Sequence, residues 1–105
     1  MTDRELLEAA AKAAGILIYF DDVGQCCQRV PGDQLSTYLW EPLEDDGDAL
    51  RLAVKLRIAN SLMFPDVASV ASEEWVKNGG EIDWYAATRR AIVRAAAEIG
   101  KSINP

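Results

Sequence analysis

The stretch from Trp40 to Leu56 constrains this chain more than any other, because it carries a strand end, a helix start and a strongly apolar helix. Pro42 lacks an N–H, and the acidic run Glu44-Asp45-Asp46 fits a pleated ladder poorly, so no strand continues through it. Asp45 or Asp46 is placed to cap a helix, its carboxylate accepting from a free N–H two or three residues on. Glu44, Asp45, Asp46 and Asp48 also set negative charge against the positive end of the helix dipole. From Ala49 the spacing turns helical. Ala49, Leu52, Ala53 and Leu56 share one face, Leu50 and Val54 widen it, and Arg51 and Lys55 occupy the other side. A stripe so broad predicts a helix lying on a sheet.

Working outward, Thr2-Asp3-Arg4-Glu5 reads as a capping box, and Leu6, Leu7, Ala10, Ala13 and Ala14 line one side of a first helix ended by Gly15. Ile16 to Phe20 is an apolar, β-favouring run and predicts a strand. Asp21-Asp22-Val23-Gly24 predicts a turn, Gln25 to Val30 a second strand, Pro31-Gly32-Asp33 another turn, and Leu35 to Trp40 a strand with Tyr38 and Trp40 on one face. Those segments make a short antiparallel meander, or a hairpin of the outer two around a long excursion. Beyond the middle helix, Asn60 and Ser61 break the pattern. Leu62 to Phe64 then reads as a short strand halted by Pro65, and Val67 to Val76 as a further strand. Lys77 to Gly80 reads as a loop. Asp83 caps a last helix running from Trp84 to about Ile103, with Ile92, Ala96, Ile99 and Ile103 on its apolar face. The expected architecture is a single α+β domain over residues 1–105. In it, three helices form a helix-sheet-helix sandwich with a mainly antiparallel sheet of four to five strands.

Bulk composition narrows the function. A chain of 105 residues that is 50% apolar is one domain, able to bury about 65% of its unfolded surface. No apolar run approaches a membrane span, and Met1-Thr2-Asp3-Arg4-Glu5 leads into a helix with no signal-peptide core, so the expected location is the cytosol. A net charge of −6 with mixed signs opposes general affinity for nucleic acid or anionic lipid. There is no histidine, which removes Ser-His and Cys-His nucleophiles and most zinc chemistry. Cys26 and Cys27 are adjacent and point to opposite faces of a strand, as two reduced thiols would.

Three groups of residues carry any remaining chemistry. The acidic cluster at 44–48 invites a cation, but an EF-hand register centred on Gly47 would put Pro42 first and Ala53 at the bidentate position, and both fail. Asp21 and Asp22 offer further carboxylates, with nothing in the sequence to bring them into one cleft. Arg89, Arg90 and Arg94, with Lys101 two turns beyond Arg94, form a basic strip on the last helix, with Trp84 and Tyr85 at its start. Its ordinary role is a solvated face whose cations pair with nearby acids. Trp40, Trp75 and Trp84 stand at element boundaries, where packing at the core edge competes with a partner-facing patch.

Residues 40–56, from Trp40-Glu41-Pro42-Leu43 to Ala53-Val54-Lys55-Leu56, resemble a signature of small uncharacterised proteins encoded by bacteriophages and prophages of proteobacteria. Ala86-Ala87-Thr88-Arg89-Arg90-Ala91-Ile92-Val93-Arg94 through Gly100 is similar to the C-terminal signature of the same group, and Thr2 to Gly15 also fits. The resemblance implies a phage ABA-sandwich type of domain, with helices on both faces of a sheet, in the cytosol of a bacterial host. It implies no catalytic or binding residues. The expected function is an accessory protein-interaction module without enzymatic activity, cofactor or metal. Its expected partner is a phage or host protein, or a second copy of the chain in a homodimer. The expected surface draws on Tyr38, Trp40, Trp84, Arg89, Arg90 and Arg94. The alternative is nucleic-acid binding through the basic face of the last helix, which the net charge disfavours.

Overall fold

The computed structural model describes residues 2–30, 33–57, 63–77, 79–81 and 83–103. Four helices and a three-stranded antiparallel sheet occur among them: α1 (Asp3–Ala14), β1 (Leu17–Phe20), β2 (Cys26–Val30), β3 (Asp33–Leu39), α2 (Asp46–Lys55), α3 (Met63–Lys77) and α4 (Trp84–Ser102). The fold is α+β, as the sequence predicts, with one more helix and fewer strands than expected.

Each of the three expected helix starts is made as its residues dictate. Thr2 Oγ1 accepts from the Glu5 N–H at 3.1 Å and Glu5 Oε1 accepts from the Thr2 N–H at 3.3 Å, which completes the capping box. The bonds from Thr2, its backbone N–H first, hold the Glu5 carboxyl below its usual range. Asp45 Oδ2 accepts from the Asp48 N–H at 2.8 Å. Asp83 Oδ1 accepts from Tyr85 and Ala86. Gly15 ends α1 at φ 69°, a left-handed position that costs a residue without Cβ nothing.

The sheet is the meander β1-β2-β3, with Ile18 opposite Gln28 opposite Tyr38, and Tyr19 opposite Cys27 opposite Leu39. Alternation places Ile18, Phe20 and Cys26 on the face that meets the helices, where they join the main core. Asp33 opens β3, while the expected turn residues Pro31 and Gly32 lie outside the described residues.

Two expected strands are one helix. Met63 to Lys77 is α3, and Leu62 lies outside the described residues. Pro65 suggested a halt, but it is the third helical residue, where its missing N–H has no intrahelical partner to lose. Val70 and Ala71 are buried side by side between exposed Ser69 and Ser72. A strand would have alternated them; a helix buries such adjacent pairs.

The helices gather on α4, which packs against α1, α2 and α3, instead of dividing between two faces of a sheet. The helix against β1 is α1. Alanine makes this possible: Ala10, Ala11 and Ala14 of α1 meet Val93, Ala96 and Ala97 of α4 in one buried cluster, and Val70 and Ala71 meet Ala87 and Ala91 in another. The α4 face turned inward is thus centred on Val93 and Ala97. Ile99 and Ile103, expected to be buried, are exposed. In α2, Leu50 and Val54 are exposed too, while Ala49, Leu52 and Ala53 are its buried residues. Among the described residues no helix is long and apolar enough to cross a membrane.

Candidate functional site

The six residues expected to form one surface are distributed over four places. Trp40 is only 3% exposed and belongs to the core, so it presents nothing to a partner. Tyr38 is exposed at the sheet end, in a shallow recess with Gln28, Leu39 and Arg51. Trp84 and Arg89 line a cleft between α2 and α4. Arg90 and Arg94 line a different cleft, where α1, α3 and α4 meet.

Each arginine of α4 reaches a carboxylate on another helix, Arg89 and Arg90 closely and Arg94 loosely. Arg89 donates from Nε to the Leu43 carbonyl at 3.0 Å and from Nη1 to Asp46 Oδ1 at 2.6 Å, fixing the start of α2. Arg90 donates to Asp3 Oδ1 at 2.7 Å, fixing the start of α1. Arg94 reaches Glu73 of α3 at 3.3 Å. Planar guanidinium forks suit such bridging contacts. The acidic cluster is equally occupied: Asp45 caps α2, Asp46 holds Arg89, and Asp48 accepts from the Glu41 N–H at 2.9 Å and from Arg51 at 2.6 Å. Asp21 is a turn residue, its Oδ1 accepting from the Val23 and Gln25 N–H groups.

The α2–α4 cleft encloses about 440 Å³ and is mostly hydrocarbon and aromatic. Its floor is Ala49, Ala53 and Ile92, all buried. Its walls are Leu50, Trp84 and Tyr85, exposed to 61%, 58% and 72%. Thr88 shows little polarity there, since its hydroxyl donates to the Trp84 carbonyl of its own helix at 2.7 Å. The Arg89–Asp46 pair closes one side. Single exposed apolar residues are ordinary, but here three large ones surround a concave, apolar floor. Sequence reasoning placed Trp84 and Arg89 in the expected surface, set Tyr85 beside the basic strip, and left Leu50 in the apolar stripe of α2. The available signal was the excess width of the α2 stripe, wider than one packed face can bury.

Cys26 and Cys27 are both free and buried. Burial first, then the charges of Cys27, Glu41 and Glu8, push the Cys26 thiol up to about 11, far from a reactive thiolate.

No family model matches the chain, and neither the curated proteins nor the solved structures include a significant match.

Proposed function

We propose that this chain is a protein-interaction module that receives a partner's apolar side chains in the cleft between α2 and α4. The observation that carries this is the joint exposure of Leu50, Trp84 and Tyr85 over the buried floor of Ala49, Ala53 and Ile92. Covering each wall residue is worth about 1.5–3 kcal/mol, and Trp and Tyr are the residues on which interface energy concentrates. The resemblance of residues 40–56 and 86–100 to small phage and prophage proteins supports an accessory role in the host cytosol, with a phage or host protein as the partner.

The nucleic-acid reading loses ground because Arg89 and Arg90 are held at 2.6 and 2.7 Å by carboxylates of other helices. A photo-crosslinking residue at position 85, introduced in the host, tests the proposal. A discrete protein adduct at position 85 and none from the same residue at Asp22, in the β1–β2 turn, is the expected result. An adduct of twice the chain mass identifies a second copy as the occupant. Equal labelling from both positions contradicts the reading.

A further inference from the structure

We infer that the cleft between α1, α3 and α4 binds a compact polyanion, a small molecule carrying a phosphate or pyrophosphate group. The cleft encloses about 470 Å³, within the range of small-ligand sites. Lys77, Arg90, Arg94 and Lys101 line it; Asp3, Glu73 and Glu98 pair with three of them and leave an excess of one cation, in a chain whose net charge is −6. Charges beyond about 8 Å are largely screened at physiological ionic strength, so the local excess of cations governs what this cleft attracts, and the acidic total does not.

Three of its cations are weakly held. Lys77 has no ion-pair partner among the described residues. Lys101 meets Glu98 at 3.3 Å on the surface of its own helix. Arg94 meets Glu73 at 3.3 and 3.4 Å through a single nitrogen, leaving the guanidinium fork without a bidentate partner. Contrast Arg89 and Arg90, held at 2.6 and 2.7 Å and largely buried. Exposed, long pairs add almost nothing to stability, so an incoming phosphate displaces Glu73 at little cost and satisfies the fork that Glu73 leaves open. The site differs from the α2–α4 cleft in place and chemistry, and its failure would leave the docking proposal intact.

Calorimetric titration of inorganic pyrophosphate into the full chain at low ionic strength tests this. Saturable binding is expected, weakened about tenfold by Lys77→Gln with Lys101→Gln, since each contact to a charged group carries a large part of such affinity. Glu73→Gln frees Arg94 and is expected to tighten binding severalfold, which a purely structural ion pair would not do. Arg51→Gln, removing a cation outside the cleft, is expected to leave affinity unchanged. No saturation, equal weakening by Arg51→Gln, or no gain from Glu73→Gln would each overturn the inference. So would a duplex oligonucleotide that binds more tightly than pyrophosphate through the same lysines.

Discussion

Gly100 of α4 lies so close to Ala9 of α1 that a Cβ placed on it would overlap the Ala9 carbonyl oxygen and stand 3.3 Å from the Ala9 Cα. The neighbour is backbone and has no rotamer by which to move away. The crossing of α1 and α4 is therefore set by a missing side chain.

Gly100→Ala separates two effects of opposite sign. In an open helix the change adds up to about 1 kcal/mol of helix stability. Here it forces two packed helices apart, and overpacking of that kind costs about 1–3 kcal/mol or more. We expect the clash to prevail, with a melting temperature lower by several degrees. Thermal unfolding checks it; a more stable variant would mean that the helices do not meet here.

Arg89 and Asp46 are expected to respond unequally to removal. Arg89 is largely buried, and its loss strands the Leu43 carbonyl as well as Asp46, so Arg89→Ala should cost about 2 kcal/mol. Asp46 is mostly exposed and is one of several acids at the start of α2, so Asp46→Ala should cost under about 1 kcal/mol. Urea unfolding of both variants measures the difference. Equal costs would show that the ion pair, and not the bond to the carbonyl, is what matters.

Cys26 predicts a pH dependence of known sign. In the folded chain its thiol keeps its proton to about 11, against an ordinary 9.0. Between those values the unfolded chain loses the proton first, so the folded state binds more protons and stability falls as pH rises. Below 9.0 the contribution is constant. Cys26→Ala should flatten the fall seen between pH 9.0 and about 11 relative to the parent chain. Slow alkylation of Cys26 in the native state, and fast alkylation in denaturant, should accompany it.

What the sequence made legible was what local chemistry decides. The caps at Thr2, Asp45 and Asp83, the left-handed Gly15 and the three meander strands all depend on neighbours in the chain, and they appear where their residues place them. What it hid was decided by distant packing. Val67, Val70 and Val76 suggest a strand by their branching, yet α3 forms because Val70 and Ala71 find Ala87 and Ala91 on α4. Trp40 and Trp84 are the same residue type at similar boundaries, and only tertiary contacts bury the first and expose the second. The partners of Arg89 and Arg90 lie 43 and 87 positions away, so no spacing rule identifies them. The candidate cleft was half readable: Leu50 was visible in a broad apolar stripe that suggests a helix covered by a sheet, and only distant packing decides that α2 leaves it exposed.

Leu50→Asp is the most direct test of the docking cleft, because Leu50 is exposed and its loss removes no core contact. The decisive measurement is the yield of the position-85 adduct from the Leu50→Asp chain, alongside that chain's unfolding midpoint. We predict a midpoint equivalent to within about 0.5 kcal/mol of the parent and an adduct reduced at least tenfold. An unchanged adduct yield from a fully folded Leu50→Asp chain would contradict the account.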